Sequence, residues 1–202
     1  MPTSPVQMNR RSLLLGASAT TALMLAPVAR AATLDQARGL VDLLVRDVNA
    51  VIASGKAEAA MLRDFETIFS RYADVPTIAR YTLGNEARRA TPAQMQQFTA
   101  AFRTYIARKY GRRFREFIGG QIEVRDARNV PNGVEVETMA ILRGQTPFRV
   151  DFQVSDRSGQ VLFFNIIIEG INMLLSERTE MLALLDQRRG DIDRLIAELP
   201  QS

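Results

Sequence analysis

The chain has 202 residues, 47% of them apolar and 24% charged, the balance of a single globular domain with a sizeable core. It holds neither Cys nor His, which excludes disulfides, Cys-based metal sites and the commonest general base. The formal net charge of +4 is concentrated at the start. Arg10, Arg11 and Arg30 lie in the first 31 residues, which contain no acid, and the remainder carries 23 basic against 22 acidic groups, without the footprint of a nucleic-acid binder.

Residues 1–31 have the three parts of an export signal. Arg10 and Arg11 form the charged part. Leu13 to Ala26 form an apolar stretch too short to span a bilayer, and Ala29, Arg30 and Ala31 form a small-x-small cleavage site. The adjacent arginines followed by Ser12, Leu13 and Leu14 resemble a twin-arginine signal. Cleavage is expected after Ala31, leaving residues 32–202 as one domain outside the cytoplasm. No Cys follows the cut to carry a lipid anchor, and no later segment is apolar enough to cross a membrane.

Residues 34–53 carry Leu34, Ala37, Val41, Leu44, Val45, Val48, Val51 and Ile52 at helical spacing, and Ser54-Gly55 closes the helix. The period returns over 57–72 with Met61, Leu62, Phe65, Ile68, Phe69 and Tyr72. Asp74 and Pro76 open a short helix that presents Val75, Ile78, Ala79 and Leu83 and stops at Gly84. Thr91, Pro92 and Gln94 form a capping box for a long helix bearing Phe98, Phe102, Ile106 and Tyr110. Gly111 is a candidate interruption, with Phe114, Phe117 and Ile118 beyond it. After Gly119 and Gly120 the period changes to two. Strands are expected over 121–128, 133–143, 148–154 and 161–168, with a hairpin signal at Pro131, Asn132 and Gly133. The last of these, apolar on both faces apart from Asn165, reads as a central strand. Helices return over 176–188, with Ser176 as N-cap, and after Asp191. The expected class is α+β, a curved antiparallel sheet of about four strands with helices packed on it.

Two groups of side chains invite a functional reading. Phe65, Phe69, Tyr72, Phe98, Phe102 and Ile106 on helical stripes, with Phe148, Val150 and Phe152 on a strand face, would line an apolar cavity if the sheet stood away from the helices. Periodicity alone favours the simpler alternative, a close-packed core. Arg108, Lys109, Arg112, Arg113 and Arg115, with Arg88 and Arg89, would meet anionic groups; the alternative is a solvated helix face. Asp151, Glu135 and Glu137 occupy polar positions of alternating strands and are expected to face solvent, as no acid–base pair would. Neither a catalytic set nor a metal site is expected.

An ordered set of motifs adds to this. Asp74 and Val75 precede Ile78, Ala79, Arg80, Tyr81, Leu83 and Gly84. The Thr91–Gln94 helix start follows, then Phe98, Phe102 and Tyr110, then Val136 and Thr138 on a strand, and finally Ile168, Glu169, Gly170 and Met173 with Arg178 beyond. In this order the chain resembles the MlaC or toluene-tolerance family of periplasmic phospholipid-binding shuttle proteins, auxiliary components of an ABC transporter, over roughly residues 34–199. It departs from the usual pattern at Ala87, Val161, Asn165 and Asn172. The resemblance implies a sheet-and-helix cavity for acyl chains, to which it adds Ile78, Tyr81, Tyr110, Val136, Ile168 and Met173. It further implies a non-enzymatic monomeric carrier with phospholipid as cargo and no cofactor. The partners it implies are an inner-membrane ABC transporter complex with its periplasmic substrate-binding domain and an outer-membrane lipoprotein complex. Three readings remain beside it: a hopanoid or other polycyclic lipid as cargo, a periplasmic protein-binding adaptor with a solid core, and a small α+β enzyme, against which the missing His argues.

Overall fold

Most helices begin at a side chain suited to capping them. The structure, a computed structural model, describes residues 32–111 and 119–199. Helix α1 (Leu34–Ile52) starts at Thr33, which forms a reciprocal capping box with Gln36. Helix α2 (Glu58–Tyr72) follows without a side-chain cap. Asp74 accepts from Thr77 N at 3.2 Å to open α3 (Val75–Thr82), and a 3-10 turn over Gly84–Arg88 leads on. Thr91 and Gln94 close the expected capping box at the start of α4 (Pro92–Gly111). The expected continuation through Phe114, Phe117 and Ile118 lies outside the described residues.

The sheet runs β1 (Gln121–Val130), β2 (Gly133–Ile141), β3 (Phe148–Ser155), β4 (Leu162–Ile168) and β5 (Ile171–Asn172) in spatial as in chain order, antiparallel throughout. The architecture is therefore α+β, with helices on one face of a five-stranded sheet. Pro131 and Asn132 form the hairpin between β1 and β2. Gly133 follows with φ +147°, where an added Cβ would lie 2.1 Å from the Val154 carbonyl oxygen, so the hairpin demands glycine there. Asn49 of α1 grips the open edge of β1, donating to Ile122 O at 3.1 Å and accepting from Ile122 N at 3.0 Å.

Cross-strand register sorts the two faces. One carries the rows Ala127–Val136–Phe152–Ile166 and Val124–Thr138–Val150–Ile168, and against it the helices form the core. The other carries Arg128–Glu135–Gln153–Asn165 and Glu137–Asp151. Here two expectations are corrected. Glu135 and Asp151 are buried, because Arg128, Arg149 and Gln153 lie across the face and pair with them. The strand over 161–168 lies inside the sheet, beside β3, though it is paired only in part on its outer side. Its outer neighbours are the two-residue β5 and a bridge at Ala73, with Asp74 N donating to Phe163 O at 2.8 Å. Helix α5 packs against that strand. Finally, α5 (Met173–Gln187) starts three residues early. Asn172 supplies the cap, while the Ser176 hydroxyl donates back to Asn172 O. Asp191 caps α6 (Ile192–Glu198).

Candidate functional site: an apolar cavity between sheet and helices

One end of the core is filled and the other is hollow. Val134, Val136 and Val154 are fully buried and packed where β2 and β3 meet the helices. Toward the start of β3 and the end of β4 the sheet and helices separate around a cavity of about 500 Å³. That volume falls in the usual range for small-molecule sites. Leu44 and Val48 of α1, Phe65, Ile68 and Phe69 of α2, and Ile78 of α3 form one side of its wall. Phe102, Ile106 and Tyr110 of α4 continue it, and Ile122, Phe148, Val150, Phe152, Ile166 and Ile168 form the sheet side. Ile171 and Met173 close the end beside α5. Ile171 lines the cavity and is 60% exposed, so the cavity meets solvent there.

Local structure places these side chains. The cap at Asp74, itself tied to β4 through Phe163 O, aims Ile78 inward. Phe163 stands in the angle between sheet and α2, 5.6 Å from the Phe152 ring and 6.1 Å from Phe69. The shift of register between Gln153 and Val154 puts Phe163 and Phe164 side by side in the wall. Gly111, the last described residue of α4, lines the wall, and a Cβ there would lie 2.1 Å from Leu62 Cδ2.

Of the residues singled out from sequence, the structure brings together Phe65, Phe69, Ile78, Phe102, Ile106, Tyr110, Phe148, Val150, Phe152, Ile168 and Met173 around this space. Four stand elsewhere. Tyr72 is buried with its hydroxyl donating to Asp47 at 2.5 Å. Phe98, one turn before Phe102, is enclosed in the packed core, as is Val136. Tyr81 lies at the surface beneath the Arg178 guanidinium, 5.0 Å from its ring centroid. The basic cluster divides. Lys109 turns to the carboxylates of α5, Arg89 pairs with Glu86 at 3.3 Å, and Arg112, Arg113 and Arg115 lie outside the described residues.

Sequence reasoning missed the polar end of the wall. Glu177, on α5, is 4% exposed and lines the cavity. Its Oε1 accepts from Lys109 Nζ at 2.8 Å and from the Tyr110 hydroxyl. Lys109 also donates to Glu180, which accepts from Tyr105. Burial, then the hydrogen bond to Glu177, pushes the Tyr110 phenol up. Burial, then Glu180, does the same for Tyr105. Burial opposes the charge on Lys109, but its bonds to Glu177 and Glu180 prevail and raise it; burial likewise opposes the charge on Glu180, yet Lys109 and Tyr105 hold it below the ordinary carboxylate value. At neutral pH the cluster thus offers two neutral phenols and a fixed ammonium. No signal in the sequence marks it, because i, i+3 acids on a helix ordinarily face water. Leu44, Val48, Ile68, Ile122 and Ile166, by contrast, lie on stripes and strands that were legible as buried.

Among the described residues the wall contains no nucleophile–base pair, and no group of three or more acidic side chains is placed to hold a metal ion. No helix among them is long and apolar enough to cross a membrane. What the arrangement can do is shelter apolar chains beside one polar cluster.

Comparison with known proteins gives two findings. The family model described as "MlaC protein" matches residues 20–201. Among solved structures, the fold is similar to that of a phospholipid-binding protein from Ralstonia solanacearum determined in complex with a phospholipid. The two share 20% identity over 82% of this chain and 95% of that one, with a TM-score of 0.69.

Proposed function

Since the chain belongs to the MlaC family, we propose that it is a periplasmic carrier that binds phospholipid acyl chains and moves lipid between the outer membrane and an inner-membrane ABC transporter. The observation that carries the reading is the cavity of about 500 Å³, walled by aromatic and aliphatic side chains and open beside Ile171. A fold shared with a phospholipid-bound protein supports it. The eleven sequence-derived residues around the cavity are its proposed lipid contacts.

The physical need is plain. Two acyl chains present about 30 CH₂ groups, each costing about 0.8 kcal/mol in water, so free lipid does not cross an aqueous gap at a useful rate. A dry cavity removes that cost and requires no catalytic group, which suits a chain without His or Cys. Residues 1–31 would serve as the export signal, through the twin-arginine route, and residues 32–202 as the single lipid-binding domain. In the family's role the partners are the transporter's periplasmic substrate-binding domain on one side and an outer-membrane lipoprotein complex on the other.

The test is purification of the exported protein, organic extraction and lipid mass spectrometry. Near-stoichiometric phospholipid is the expected result. Polycyclic lipid in its place would redirect the cargo within the family, and absence of any lipid would overturn the carrier reading.

A further inference from the structure

Among the described residues three buried side-chain atoms lack a hydrogen-bond partner: Arg103 Nε, Arg188 Nε and Glu177 Oε2. Only the last belongs to a residue of the cavity wall. The side chain of Glu177 is 6% exposed, and both donors that reach it, Lys109 and Tyr110, come from α4 to the same oxygen, Oε1. Asn165, the amide in the wall, has no such vacancy: its Oδ1 accepts from Leu174 N at 3.0 Å and its Nδ2 donates to Gln153 at 3.0 Å. Charge is unbalanced as well, since the Lys109 ammonium is shared between Glu177 and Glu180.

A buried carboxylate oxygen without a donor is costly, and such atoms call for a partner that arrives later. A carboxylate only accepts, so that partner must bring an N–H or O–H, and the acceptor-only phosphodiester of a lipid must lie away from it. Lys109 and Glu180 beside it are partly solvated, at 29% and 43% side-chain exposure, so Glu177 sits one step inside the surface, where a lipid's polar end would rest. The terminal torsion of a Glu is broad, so a small turn that keeps Oε1 within reach of Lys109 and Tyr110 can bring Oε2 to a donor without movement of α5.

We propose that Glu177 selects the cargo by its polar end. Its Oε2 accepts a hydrogen bond from an ammonium or hydroxyl of the lipid headgroup, so that lipids bearing such a donor are loaded in preference to those without one. This inference rests on the carrier reading above.

The experiment uses the delipidated full-length mature chain, exchanged against vesicles of choline phospholipid doped with chain-matched ethanolamine, N-methylethanolamine, N,N-dimethylethanolamine or glycerol phospholipid. Bound lipid is counted by mass spectrometry. One hydrogen bond to a charged acceptor should favour each N–H-bearing form over choline about tenfold. The preference should fall in one step at the last methylation, because that step removes the last N–H, whereas a purely steric preference would decline gradually. Glycerol lipid above choline identifies a hydroxyl as sufficient; at the choline level it identifies the ammonium as the source. E177Q, which keeps the size and an acceptor for Tyr110 and Lys109, should bring the ratio close to one. Equal loading of choline and ethanolamine lipid by the wild-type chain, a gradual decline along the methyl series, or an unchanged ratio in a folded E177Q would overturn the inference while leaving the carrier standing. Loading of none of these lipids would overturn the carrier reading itself. If E177Q fails to fold, the methyl series on the wild-type chain decides.

Discussion

Filling the cavity from the sheet side separates a hollow core from a packed one by the sign of the stability change. Val150 lies between Thr138 and Ile168 in the sheet, buried, with its side chain in the cavity wall. Phenylalanine suits a strand as well as valine does, so Val150→Phe should leave the sheet intact. In the lipid-free protein the ring gains roughly 50 Å² of burial, which is about 1 kcal/mol of stabilisation at 25 cal/mol/Å². For a domain of this size the melting temperature should then rise by roughly 2–4 °C. In a close-packed core the same ring would cost about 1–3 kcal/mol and lower the melting temperature. Lipid binding should move the other way. Displacing about three CH₂ groups forfeits about 2.4 kcal/mol, or roughly fiftyfold in affinity. Differential scanning calorimetry of delipidated protein, with lipid exchange from vesicles, reads both quantities. A variant that melts several degrees lower and loads lipid as the wild type does would refute the hollow-core reasoning.

Three further perturbations test other parts of the structure. Lys109→Met strips Glu177 and Glu180 of their shared cation and should destabilise by roughly 1–3 kcal/mol in urea titrations, a figure discounted for the 29% exposure of the lysine side chain. The raised pKa of Lys109 places that contribution fully below the ordinary lysine value near 10.4, and it fades as pH climbs through the folded value. Burial works against the charge on Glu135, but the bonds from Gln153 and Arg128, with the Arg128 and Arg149 charges, hold its pKa below the ordinary range. Its contribution is therefore present above about pH 4.3 and lost as pH falls through the depressed value, so Glu135→Gln should lower stability at pH 7 and flatten the acid limb of the stability curve. Gly133→Ala meets both a positive φ and the Val154 carbonyl oxygen at 2.1 Å and should cost roughly 2 kcal/mol or more, measured by chemical denaturation.

Much of the fold was legible because its signals are local. The Thr91–Gln94 capping box, the Asp74 cap and the two-residue alternation of 148–154 each act within a few residues, and each appears where the sequence places it. The misreadings came from side-chain contacts that alternation does not encode. Glu135 and Asp151 alternate like solvent-facing residues, yet Arg128 of β1 folds over Glu135 and Arg149, two residues along the same strand, folds over Asp151. The strand over 161–168 lies inside the sheet, but its outer side is paired only by the two-residue β5 and the bridge at Ala73, with α5 packed against it.

Period and polarity set which way the apolar stripes turn: the stripe residues from Phe65 to Tyr110 and from Phe148 to Phe152 face the core, with Phe69, Tyr110 and Phe148 only partly buried there. The ordered motifs of the sequence also carried the family resemblance. Whether those faces touch was set by how distant elements pack. Phe98 and Phe102 share one helical stripe, but the first is closed into packing and the second borders the cavity. The same folding brought Glu177 beside Lys109 and Tyr110, some 67 residues away in the chain. Periodicity records the direction of a side chain; whether it meets a neighbour or a void depends on how far apart the packed layers stand, which no local pattern encodes.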